Sequence, residues 1–160
     1  MTRFTTTIRL IAVVIALALL ANQSSAAETV PDSAASKHVG TNATIRTRLL
    51  AVCRLSNGDI ALYNKRAGVT EAIGFTAAAP DKSGQEPNES FLIMVPLTAL
   101  SQLKFKDGDA LTSSLLGETV VVSGLVSEFT PMNPRPGVFR VIPIPSVRID
   151  KDAKLELLPK

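Results

Sequence analysis

Two alternating segments near the C-terminus, GETVVVSGLVSEF (residues 117–129) and GVFRVIPIPSVRID (residues 137–150), joined by TPMNPRP, constrain the fold most strongly. In the first, Val120, Val122, Gly124 and Val126 alternate with Val121, Ser123, Leu125 and Ser127. A period of two predicts a strand, with the first set turned toward a core. Gly124 in the middle predicts a bulge or a sharp coil. In the second segment Phe139, Val141, Val147 and Ile149 share a face with Pro143 and Pro145. The two prolines place both missing N–H donors on one strand edge, which predicts an exposed edge or a local break in pairing.

The same period appears upstream in TIRTRLLAVCRL. Ile45, Thr47, Leu49, Ala51, Cys53 and Leu55 fall on one face, and Arg46, Arg48, Leu50, Val52 and Arg54 on the other. SNGD (residues 56–59) reads as a turn, because Asn-Gly tolerates positive φ. IALYNK returns as a second strand, and VTEAIGFTAAA, punctuated by Gly68 and Gly74, reads as a weaker third. A polar Pro/Gly loop follows at residues 80–89. FLIMV is a short buried strand stopped by Pro96, and LTALSQLKF places Leu97, Leu100 and Leu103 at helical spacing. KDGD breaks the chain, and ALTSSLLG adds a further helical turn. Residues 28–42 are small, polar and aperiodic and are expected to form a flexible lead-in. Residues 151–160 read as a tail or a fraying helix.

Strands, a helix and two closing strands, in this order, resemble the oligonucleotide/oligosaccharide-binding (OB) fold. The likeness is carried by Gly117, Val120, Val122, Gly124 and Val126, then Phe139, Val141, Val147 and Ile149. These are similar to the closing strands of anticodon-binding-type OB domains and cover about 35 residues. The resemblance implies a mainly β chain, folded as a small five-to-six-stranded Greek-key barrel with one short helix. It also implies that ligands are met by the loops around Asn57 and Asp59 and around Met132, Asn133 and Arg135.

The N-terminus bears on location. Arg3 and Arg9 precede the apolar run LIAVVIALALLA, and Ser25 and Ala27 fit the small positions of a cleavage site. This is the pattern of a secretory signal peptide, residues 1–27. The competing reading is a retained anchor, but a spanning helix needs about 20 apolar residues and the run has twelve. The expected mature chain is periplasmic or secreted, with a barrel domain at residues 43–150. The short apolar run and Ala-rich exit have a bacterial character; Asn42 and Asn88 lie in glycosylation sequons that matter only in a eukaryote.

Cleavage also changes the charge. The whole chain has 17 Lys+Arg and 14 Asp+Glu, a formal +3. Without Arg3 and Arg9 the balance is 15 to 14, so the net positive excess of a nonspecific nucleic-acid binder is missing. Past the signal the aromatic residues are Tyr63, Phe75, Phe91, Phe105, Phe129 and Phe139, with no Trp. That is a thin supply for base stacking, which contributes about 1–3 kcal/mol per base.

The residue types of common catalytic sites are equally scarce. Cys53 is the sole cysteine, so no intramolecular disulfide forms; on an apolar face it reads as a small buried hydrophobe, the alternatives being a reactive thiol or an intermolecular bridge. His38 is the sole histidine and lies in the expected lead-in, which argues against Ser–His–Asp, Cys–His and His-based zinc sites. Asp107/Asp109 and Asp150/Asp152 are close carboxylate pairs, but KDGD and DKD are ordinary turn and tail compositions. No phosphate-binding glycine loop is present. The remaining constellation is basic and polar: Arg46, Arg48, Arg54, Arg140 and Arg148 on strand faces, with Asn57, Tyr63, Asn133 and Arg135 beside them. Fixed guanidinium donors suit carboxylate or phosphate groups. The expectation is an exported, non-enzymatic binding or adaptor module without metal or cofactor. Its partner is expected to be an envelope or extracellular protein or an anionic ligand, met through barrel loops. The alternative is an OB domain that binds nucleic acid outside the cytoplasm.

Overall fold

The computed structural model describes residues 28–55, 57–65, 77–79, 89–130 and 142–159. The expected signal segment, the polar loop at residues 80–88, most of the third-strand segment and residues 131–141 lie outside these. Among the described residues there are nine strands: β1 (Thr29–Pro31), β2 (Asn42–Arg48), β3 (Ala51–Arg54), β4 (Ile60–Tyr63), β5 (Ala77–Ala78), β6 (Leu92–Val95), β7 (Thr119–Phe129), β8 (Ile144–Arg148) and β9 (Lys154–Leu157). The same residues include one α-helix, α1 (Gly108–Leu115), and two short 3-10 segments at Asp32–His38 and Leu97–Ala99. The chain is mainly β, as its alternating pattern requires.

Hydrogen bonds link the strands in the order β1-β2-β7-β8-β6-β4-β3-β5, with β9 also on β7. The β1–β2 and β6–β8 pairs are parallel and the others antiparallel. The path differs from the expected five-to-six-stranded barrel: it has more strands, and among the described residues no pairing closes it. β2 and β3, each next to one end of the path, are nevertheless continuous in the chain, because Leu49 and Leu50 alone separate them.

Those two leucines reorganise the predicted faces. Leu49 spends both backbone groups on one side, its N–H on Glu118 O and its C=O on Gly117 N–H, at 2.9 and 2.7 Å. Leu50 divides its groups: its N–H donates to Tyr63 O at 2.7 Å and its C=O accepts from Ala79 N–H at 2.8 Å. The alternation slips by one residue across this switch. Ile45, Leu49 and Val52 therefore enter one core cluster, while Ala51 and Cys53 enter another. The single face predicted to run from Ile45 to Leu55 is thus two faces.

The larger cluster includes Ile45, Leu62, Phe91, Ile93, Val120, Val122, Val126 and Val147. β4 and β6 are buried throughout, so their alternate residues, Ala61, Tyr63, Leu92 and Met94, form the second cluster with Ala51, Cys53 and Ile144. Burying a Leu, Ile or Phe side chain contributes about 1.5–3 kcal/mol, so both clusters matter to stability. Leu111 and Leu115, one turn apart on α1, close the larger one. Asp107 starts that helix, accepting from Ala110 N–H at 2.8 Å.

Gly124 is not a bulge. Its pairing with Ala43 is continuous with the rest of the β2–β7 ladder. The reason for glycine is space: β8 and β9 share one edge of β7, and a Cβ at Gly124 would come within 2.9 Å of Val147 Cγ1 and 3.1 Å of Ala153 Cβ. The prolines are resolved as the local break. β8 is an interior strand between β6 and β7, but its ladder with β6 begins only at Ser146, just past Pro145.

Two expectations about the termini are corrected. Residues 28–42 are no flexible lead-in: β1 runs parallel to β2, and Ala35 of the 3-10 segment is fully buried. Asp32 anchors it, accepting from Thr47 Oγ1 at 2.8 Å and Asn64 Nδ2 at 2.9 Å. Residues 151–159 include an edge strand, β9, paired with Val120–Ser123 of β7. Asp150 Oδ1 turns the chain into it by accepting from the N–H groups of Asp152 and Ala153.

Candidate functional site

The β3–β4 hairpin gathers three of the predicted residues at one end of the fold. Leu55 N–H donates to Asp59 O and Gly58 N–H to Leu55 O, at 2.8 and 2.9 Å, closing the turn. Gly58 has φ +86°, where Asn-Gly was expected to allow it. Asn57 folds over Asp59: its Oδ1 accepts from Asp59 N–H at 3.0 Å and its Nδ2 donates to Asp59 Oδ2 at 3.1 Å. From β8, Arg148 Nη2 donates to the same Oδ2 at 3.1 Å. The Asp59 side chain is 10% exposed and that of Arg148 is 55% exposed. A nearly buried carboxylate thus fixes a guanidinium whose remainder faces solvent.

Arg54 stands at the other side of the hairpin, where Nη2 meets Asp109 Oδ1 at 3.3 Å. Gly108 permits this approach, since a Cβ there would lie 2.7 Å from Ile60 Cδ1 and 3.1 Å from Arg54 Nη2. Leu97 completes the surface. It is 49% exposed, and a Cβ on Gly58 would sit 2.8 Å from its Cδ1. The hairpin end therefore presents one apolar side chain among two anchored arginines and an amide.

The other predicted residues lie elsewhere. Arg46 and Arg48 are on β2; Arg46 is exposed and Arg48 Nε donates to Gly117 O at 3.2 Å. The slip at Leu49–Leu50 separates their face from that of Arg54. Tyr63 is corrected outright: it is fully buried in the second cluster and presents nothing to a ligand. Burial pushes its phenol well above the ordinary value, with Cys53 adding a smaller contribution, and its hydroxyl has no partner among the described residues. Asn133, Arg135 and Arg140 lie outside the described residues.

Asp109 and Leu97 were missed as members of the hairpin-end surface. Asp109 read as turn composition and Leu97 as a core position of a helix. No spacing rule brings Asp109 to Arg54, 55 residues earlier, or Leu97 to the turn at Gly58. The carboxylate pairs act within the fold: Asp107 caps α1, Asp109 meets Arg54, and Asp150 turns the chain into β9. Among the described residues there is no group of three or more His, Cys, Asp or Glu placed to hold a metal, and no helix long and apolar enough to cross a membrane.

No protein-family model and no curated protein sequence matches the chain. Among solved structures, one described as an aspartyl-tRNA synthetase from Leishmania major Friedlin is similar, with a TM-score of 0.41 and 11% identity. The match covers 85% of this chain and 21% of that one.

Proposed function

We propose that this chain is an exported, non-enzymatic binding module on an OB-type barrel, and that it grips a protein partner with the hairpin end. The connectivity supports the OB reading. The segment containing β2 and β3 pairs with β7 and β4, β4 pairs with β6, β6 runs parallel to β8, and α1 lies between β6 and β7. That is the five-stranded order of an OB domain with its helix before the fourth strand. The pattern of residues 1–27 supports export.

The observation that carries the partner reading is Arg148, held at one Nη by Asp59 and still half exposed. A guanidinium fixed before binding loses less rotamer freedom when it meets a carbonyl or carboxylate. Leu97 supplies the apolar contact beside it. Such a mixture of a leucine, anchored arginines and an amide suits a protein surface. Nucleic acid is less well served. The alternate residues of β3, β4 and β6, Tyr63 among them, are buried in the second cluster and offer no ring for a base to stack on. Both hairpin-end arginines face carboxylates.

Titration of a fluorescent single-stranded oligonucleotide at about 50 and 200 mM salt tests this choice. The expected result is no saturable binding at either salt. Saturable binding that weakens steeply between the two would favour the nucleic-acid alternative, because released counterions set that slope.

A further inference from the structure

β9 is the outermost strand on its side of the sheet. Leu158 N–H donates to Thr119 O at 3.1 Å. Alternation then turns the backbone groups of Lys154 and Glu156 toward β7 and those of Leu155 and Leu157 away from it. Among the described residues nothing pairs with those outward groups. Among the described residues the other sheet ends are blunted: β1 ends in Pro31 and β5 has two residues. β9 has neither protection. It carries instead two exposed, opposite charges, Lys154 and Glu156, on one face, and on the other face Leu155 and the 48% exposed Leu157.

We propose that β9 pairs antiparallel with β9 of a second copy of this chain, around a twofold axis at Leu155. This register sets Lys154 directly opposite the second copy's Glu156, and the symmetry repeats the pair. Opposite charges facing each other across an antiparallel pair stabilise it. Moving the axis to Glu156 would instead set two glutamates face to face. At the axis, Leu155 exchanges N–H and C=O with the second copy's Leu155. Ala153 stays outside this ladder: it is buried, its N–H donates to Asp150 Oδ1 and Gln102 Nε2 approaches its carbonyl at 3.4 Å. The outward leucines gain cover on the core side. A contact this short falls below the area of a stable interface, roughly 1,200 Å², so the dimer is reversible and concentration-dependent.

Full-length chains carrying Lys154→Cys and Glu156→Cys, with different tags, are co-expressed and oxidised. The proposed register makes these two positions a non-hydrogen-bonded pair with Cα atoms about 4.5 Å apart, a separation that a disulfide spans. Cys53 is fully buried and does not compete. The expected result is cross-linking between the two variants at least tenfold above either variant alone. Absence of that cross-link, or equal cross-linking of Glu156→Cys alone, overturns the proposal. Sedimentation velocity with Lys154→Glu and Glu156→Lys gives a second reading. Each variant alone should stay monomeric where the unsubstituted chain dimerises, and an equimolar mixture should dimerise. A mixture that remains monomeric counts against β9 pairing.

Discussion

Arg148 Nη2 lies 3.1 Å from Asp59 Oδ2, a contact that joins β8 to the β3–β4 hairpin across 89 residues of sequence. The carboxylate is shielded and already bound by Asn57, so it acts as a fixed post. The guanidinium is half exposed, and solvent screens much of the attraction. Asp59→Ala should therefore destabilise the chain by about 1–2 kcal/mol, mostly through the lost hydrogen bond from Asn57 Nδ2, since the turn bonds made by the Asp59 backbone remain. A double-mutant cycle with Arg148→Ala should give a coupling of about 0.5–1 kcal/mol that shrinks with added salt. Urea denaturation of the four proteins measures both.

Gly124 lies where β8 and β9 converge on β7. Gly124→Ala forces a methyl group to within 2.9 Å of Val147 Cγ1, on a short, stiff side chain. Overpacking of this kind costs about 1–3 kcal/mol. Val147→Ala removes the obstructing atom, so the alanine at 124 should cost less in that background than in the unsubstituted chain. Thermal unfolding of the single and double variants tests the sign of this coupling.

Asn64 holds the N-terminal segment against the sheet. It is 1% exposed; its Oδ1 accepts from Phe91 N–H at 2.8 Å, and its Nδ2 donates to Asp32 Oδ2 and to Glu89 O. Asn64→Ala strands a buried N–H and loosens Asp32, with an expected loss of about 2–3 kcal/mol. Hydrogen exchange should quicken at the Phe91 amide and along β1 and β2. Slow exchange there, unchanged from the parent, would mean that Asn64 is not the anchor.

Much of this architecture was legible because a period of two needs no tertiary information. Val120, Val122 and Val126 are buried as their alternation requires, the Asn-Gly turn sits where its chemistry puts it, and Pro96 ends β6. Three features were hidden for physical reasons. The slip at Leu49–Leu50 depends on which partners the backbone of Leu50 meets, and Leu49 to Cys53 is apolar in both phases, so the change of phase leaves no mark there. The 3-10 segment Asp32–His38 buries Ala35 alone and leaves no hydrophobic period to read. β9 is four residues long, too short to distinguish alternation from a fraying helix. The hairpin end was half visible. Asn57, Arg54 and Arg148 stood out by residue type, whereas Leu97 and Asp109 join them only through the fold.

The proposal that the hairpin end meets a protein partner is tested most directly by photo-crosslinking in intact cells. A photoreactive side chain replaces Asn57 or Leu97 in the full chain, and the same group at Arg46 on β2 serves as the comparison. The expected result is one protein adduct of constant mass from both hairpin-end positions, lost when Arg148→Ala is added and absent from position 46. Adducts equally abundant from all three positions, or nucleic acid in place of protein at Asn57 and Leu97, would contradict it.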